Sequence, residues 1–186
     1  YRVDWYPSDT KTLTIQGDFY GGQESAAPSV PLNGLNKSTL DGQNTLIRWT
    51  QQFSETSTLS AQAYYDRTWR NDIPSTIANE LQTFDVDIHH GFAWGERQRV
   101  LWGVGYRLMK DAVINRTPFV GLLPTQLNMP LYSSFIQDEI TIVPNHLKIT
   151  VGTKLQHQYF SHMELQPSAR VAWTFSKQTI WAAVSR

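Results

Sequence analysis

The stretch Leu147-Lys148-Ile149-Thr150-Val151-Gly152-Thr153-Lys154-Leu155-Gln156 sorts its side chains by parity. Leu147, Ile149, Val151 and Leu155 fall on one side, and Lys148, Thr150, Lys154 and Gln156 on the other. Successive side chains of an extended strand point to opposite faces, so this segment is a ribbon with one apolar and one polar side. Thr12-Leu13-Thr14-Ile15-Gln16-Gly17-Asp18-Phe19 repeats the pattern. Weaker copies lie at 45–53, 57–65, 83–92, 99–108 and 167–175. Apolar spacing of the helical kind, i, i+3, i+4, is nowhere sustained, and an all-β chain is expected.

The connections between ribbons alternate in length. Pro7-Ser8-Asp9, Ser54-Glu55-Thr56, Gly95-Glu96-Arg97, Pro144-Asn145-His146 and Ser176-Lys177-Gln178 are short and rich in turn formers. The others, 21–42, 70–79, 110–128 and the shorter 161–164, carry most of the prolines. About ten strands are expected, running up and down as neighbouring antiparallel pairs. Two segments resist a facing assignment. In 129–142 Asp138 shares parity with Ile136 and Ile140, and in 179–186 Arg186 shares it with Ile180 and Val184.

Aromatic residues gather at the ribbon ends. Tyr6, Phe53, Phe92, Trp94 and Phe175 precede tight turns, while Tyr20, Trp69, Tyr106, Tyr132 and Tyr159 lie toward the long connections. Two levels of rings separated by an aliphatic band suit the two water–lipid interfaces around a transmembrane barrel. No apolar run, including Trp181-Ala182-Ala183-Val184, approaches the roughly 20 residues of a membrane helix, whereas a spanning strand needs only about 10. The alternative is a soluble all-β ligand-binding module whose rings face a core.

In 186 residues, sixteen basic side chains balance sixteen acidic ones, so bulk charge argues for no nucleic-acid partner. The absence of cysteine excludes a disulfide framework, a thiolate metal site and a cysteine nucleophile.

The C-terminal half resembles the later barrel of TonB-dependent outer-membrane receptors. The residues that carry the likeness are Phe135-Ile136-Gln137-Asp138-Glu139-Ile140, Val143-Pro144-Asn145-His146-Leu147-Lys148-Ile149-Thr150-Val151-Gly152-Thr153-Lys154-Leu155, Gln166-Pro167-Ser168-Ala169-Arg170-Val171-Ala172-Trp173-Thr174 and Thr179-Ile180-Trp181-Ala182-Ala183-Val184-Ser185-Arg186. Asp4-Trp5, Leu13-Thr14-Ile15-Gln16-Gly17-Asp18 and Ala63-Tyr64-Tyr65-Asp66 fit more loosely. The resemblance implies a bacterial outer-membrane barrel of about 22 strands with a plug in its lumen. It further implies TonB-driven import of an iron–siderophore complex or a similarly scarce ligand, such as cobalamin. The sequence departs from that pattern: no plug and no TonB-contacting box are legible, and Arg186 falls in mid-strand. Residues 1–186 are therefore expected to form a partial barrel domain of about ten strands, with lipid outside and TonB reached only through a plug in the parent protein. The open sheet edges of such a piece would invite self-association.

Arg48, Arg107, Lys148, Lys154 and Arg170 share the polar parity of their strands with Asp18, Asp66, Asp85 and Asp87. The lumen-facing side is thus charged in both signs, and Arg48, Arg107, Lys154 and Arg170 are candidate ligand contacts. The family likeness singles out Gln137, Asp138, Glu139, Pro167, Ser168, Arg170, Trp181, Ser185 and Arg186. Connections 21–42 and 110–128 are the expected recognition segments.

Asp85, Asp87 and His89 lie along one strand face and could begin a metal site or a metal-dependent enzyme; a solvated polar row opposite Phe84, Val86 and Ile88 is the plainer reading. His90 points to the opposite face. Tyr106 and Lys110 have a dehydrogenase-like spacing but no helix to carry it, and Gly103-Val104-Gly105 lacks a third glycine. Those two glycines are read instead as relieving crowding on the polar face. Asn36-Lys37-Ser38 and Asn115-Arg116-Thr117 are sequons in form only. No nucleophile elbow is present, so neither a catalytic set nor a cofactor is expected.

Overall fold

The computed structural model describes residues 1–25, 37–72, 77–116, 118 and 121–186. The alternating segments become ten strands: β1 Arg2–Ser8, β2 Lys11–Ser25, β3 Lys37–Ser54, β4 Ser57–Asp72, β5 Ile77–Trp94, β6 Gln98–Asn115, β7 Gln126–Val143, β8 Leu147–Gln158, β9 His162–Thr174 and β10 Thr179–Ser185. They form one sheet in chain order, each strand antiparallel to the next. Strands β1 and β10 are its two edges and do not meet, so the sheet is an open wall.

On the trimmed rim, Gly95 (φ 69°) and Asn145 (φ 61°) take the left-handed conformation that tight reversals need. Register shifts precede three of these turns, between Trp5 and Ser8, Gln52 and Ser54, and Thr141 and Val143. The opposite rim differs from expectation. β2 and β3 run on through Gly21↔Asp41, Gly22↔Leu40 and Glu24↔Ser38, inside the segment expected to be a connection. β4 to β7 likewise extend into 70–79 and 110–128. Where both faces of a strand meet water, alternation vanishes from the sequence, yet pairing the backbone amides still favours a ladder.

Directly opposed residues share a face, so the register fixes every facing. One outward row reads Leu13↔Trp49↔Ala61↔Ile88↔Val104↔Ser134↔Leu155↔Leu165. The neighbouring inward row reads Thr14↔Arg48↔Gln62↔Asp87↔Gly105↔Ser133↔Gln156↔Glu164. The undecided segments are thereby settled. Ile136, Asp138 and Ile140 lie outward with Val151, and Ile180 and Val184 lie outward with Trp173 and Ala169. A row that leaves β2 at its first residue, Lys11, reaches β8 at Thr153, in mid-strand. That stagger is the shear a closing barrel imposes.

The apolar face covers no core. Among the described residues only Ala78, Val100 and Val113 are buried apolar side chains, while Val151 is 42% and Trp173 51% exposed. A soluble sandwich would bury these residues under a second sheet; here the sheet is a single layer. The outward rings pair at both levels: Trp173 stacks on Phe175 toward the trimmed rim, and Tyr65 meets Phe84, and Tyr106 meets Tyr132, toward the other. Tyr20 belongs to neither belt. It pairs with Gly42 on the inward face, where its ring occupies the space a Cβ would need, and Phe19 takes the outward place beside Tyr1.

Candidate ligand-facing wall

The inward rows bring chemistry together that is scattered in sequence. Arg107 on β6 opposes Asp85 on β5, and its Nε donates to Asp85 Oδ2 at 2.7 Å. On β3, Arg48 donates twice to Gln62 Oε1 on β4, from Nε at 2.9 Å and Nη2 at 2.6 Å. Gln62, Asp85, Asp87, Arg107, Ser133 and Lys154 line one open cavity of about 400 Å³. Gly105 is part of its wall, where a Cβ would stand 2.9 Å from Ser133 Oγ; beyond the cavity on the same inward face, a Cβ on Gly103 would stand 2.5 Å from the Phe135 ring. The reading of these glycines as relief for the polar face agrees with that geometry.

Three of the four lumen candidates belong to this region: Arg107 and Lys154 line the cavity, and Arg48 holds a third lining residue, Gln62. Arg170 lies apart, in the row Glu139↔Thr150↔Arg170 nearer the trimmed rim. Lys154 and Arg170 make no ion pair among the described residues. Gln62 and Ser133 also sit in the cavity wall and were not singled out in the sequence, whereas Gln156 already lay on the polar parity of its strand. Neutral polar residues carry no charge signal, and only the cross-strand register places them.

The Asp85/Asp87/His89 row is divided among other partners. Asp85 is held by Arg107, and His89 Nδ1 lies 3.2 Å from Asp87 Oδ1. Among the described residues no group of three or more histidine or carboxylate side chains is placed to hold a metal ion. His90 faces outward, as its parity requires, bonded to Ser57 Oγ at 2.9 Å among Phe53, Phe92 and Trp102.

The residues singled out by likeness divide between the faces. Gln137, Ser168 and Ser185 share one inward row through Gly152, beside a second cavity of about 400 Å³. Glu139 accepts from Lys148 Nζ at 2.7 Å, and Trp181 is inward across from Ala172. Asp138 and Pro167 are outward, and the Arg186 amide donates to the Pro167 carbonyl at 3.2 Å. The expected recognition segments narrow to 26–36 and 116–125; residues 26–36, 117, 119 and 120 lie outside the described residues, as do Asn36 and Thr117 of the two sequons.

No protein-family model matches the chain, and no curated protein does. Solved structures do. The siderophore receptor PirA from Pseudomonas aeruginosa matches 99% of this chain with 33% of its own, at 15% identity and a TM-score of 0.74. A mutant of the ferric enterobactin receptor PfeA from the same organism matches 98% with 31% of its own, at 13% identity and 0.76. The alcaligin outer membrane receptor FauA from Bordetella pertussis matches 98% with 33% of its own, at 14% identity and 0.72. The chain thus spans about a third of the length of these receptors. At such identities the likeness establishes the fold: an antiparallel up-and-down wall of the outer-membrane barrel kind.

Proposed function

We propose that this chain is part of the barrel of a TonB-dependent receptor in the bacterial outer membrane. Residues 1–186 are one partial barrel domain whose parent takes up an iron–siderophore complex or a similar scarce ligand. One observation carries the reading: a single sheet that keeps its apolar face uncovered follows, over nearly its whole length, the barrel walls of three receptors for such ligands. Hydrocarbon is the solvent that suits the outward rows, and water or a plug the inward ones. The wall acts through binding and transport rather than catalysis. In the parent, TonB engages the plug, and the sheet edges are closed by further strands.

Within this wall Arg107 and Lys154 are the favoured ligand contacts, supported by Arg48 and Gln62; a metal enters as cargo, not as a resident cofactor. In cells expressing the parent receptor, changing Arg107 and Lys154 together to alanine is expected to lower radio-iron uptake at least tenfold, with the protein still in the outer-membrane fraction. Unchanged uptake would remove the cavity from the ligand path, and recovery of the parent in the soluble fraction would remove the receptor reading.

A further inference from the structure

On the outward face, the ring-rich row Tyr65↔Phe84↔Leu108↔Pro130 is followed toward the long rim by Gln43↔Arg67↔Gln82↔Lys110↔Asn128. Adjacent strands thus present five side chains with N–H donors and no carboxylate, one step beyond the level where rings mark the edge of hydrocarbon. Carboxylates begin one row higher, at Asp41 and Glu80, and they occupy Arg67: its Nε donates to Glu80 Oε1 at 2.7 Å and its Nη1 to Asp41 Oδ2 at 3.1 Å. Gln82 Nε2 turns one donor to the same Glu80, at 2.9 Å. Lys110 is left as the uncompensated cation of the row. It is exposed, enters no ion pair among the described residues, and its Nζ sits 5.6 Å above the Phe84 ring centroid. A lysine so placed lays its stem along the rings and its ammonium in the headgroup layer.

We propose that this row is a headgroup shelf on which Lys110, flanked in register by Gln82 and Asn128, binds the phosphate of an anionic lipid. The inference rests on the membrane reading above. Charge complementarity selects the lipid class: a zwitterionic lipid brings its own cation to compete with Lys110, whereas an anionic one brings only acceptors. The shelf's position directly beyond the rings selects a lipid over a soluble partner.

The test is spin-label immobilisation of phosphatidylglycerol against phosphatidylcholine by the chain reconstituted in phosphatidylcholine vesicles. The wall is expected to favour phosphatidylglycerol by a factor of about five, less at high salt. Lys110→Gln is expected to abolish the preference, and Lys148→Gln on the inward face to keep it. Equal immobilisation of the two lipids, or a Lys110→Gln chain that keeps the preference, overturns the proposal. So does displacement by inorganic phosphate, which would make the site one for the free anion. Protease protection in pure phosphatidylcholine vesicles reads insertion separately; a chain that fails there fails as a membrane wall, and the shelf falls with it.

Discussion

Asp138 on β7 lies directly across from Val151 on β8, and both face outward, with Val100 on the other side of the same row. Asp138 Oδ1 is buried and accepts no hydrogen bond. A basic side chain on the lipid face of a barrel costs about 2–4 kcal/mol at mid-depth, and an acidic one less. Asp138→Val is therefore expected to stabilise the wall by about 1–2 kcal/mol, as a higher urea midpoint for unfolding from lipid vesicles. A lower midpoint would show that the carboxylate has a partner in the membrane.

Gly103 is fixed by its neighbours rather than by its own backbone. A Cβ there would stand 2.5 Å from Phe135 Cε1 and 2.8 Å from the Ile88 carbonyl oxygen. Gly103→Val is expected to destabilise the chain by about 1–3 kcal/mol through overpacking. Gly103→Val combined with Phe135→Ala should recover part of that loss, because one of the two clashes is with a side chain and the other with backbone. Additive losses in the double-mutant cycle would place Phe135 away from Gly103.

The fold was legible wherever one strand face meets an apolar medium and the other water, because only there does period two survive in the sequence. That is why 147–156 reads at once while Gly21-Gly22-Gln23, equally in strand, reads as loop. Asp138 and Arg186 blurred two strands for the opposite reason: a charge on the apolar parity cancels the signal, and only pairing with Val151, or with Pro167, restores it. The proposed ligand wall was half legible. Arg107 and Lys154 announced themselves by charge, whereas their closeness depends on register across β5 to β8, which no single segment contains.

Arg107 and Asp85 separate a binding role from a stabilising one. Their side chains are 48% and 15% exposed, and pairs so open to water are worth about 0.2–1 kcal/mol. Arg107→Ala is accordingly expected to move the urea midpoint only slightly while leaving Asp85 without its guanidinium partner. Arg107→Lys keeps the charge but not the guanidinium geometry, and should bind an anionic ligand more tightly than Arg107→Ala does. Equal weakening by both variants would assign the effect to shape rather than charge.

Glu80 gives the wall beyond the rings a pH dependence of known sign. Hydrogen bonds from Arg67, and then Gln82, hold its carboxyl below the usual glutamate range. A folded-state value under the unfolded one means that stabilisation is complete above the unfolded value of about 4.3 and is lost as pH falls through the lower, folded one. Glu80 and Arg67 are 26% and 31% exposed, which keeps the contribution near 0.5 kcal/mol. Urea midpoints measured between about pH 6 and about pH 3 should therefore fall less in Glu80→Gln than in the unchanged chain. Glu80→Gln should also free Arg67 to join Lys110 as a second cation on the outward row, so its preference for phosphatidylglycerol should rise while its acid sensitivity declines. A variant that loses acid sensitivity without gaining that preference would show that Asp41 alone suffices to hold Arg67.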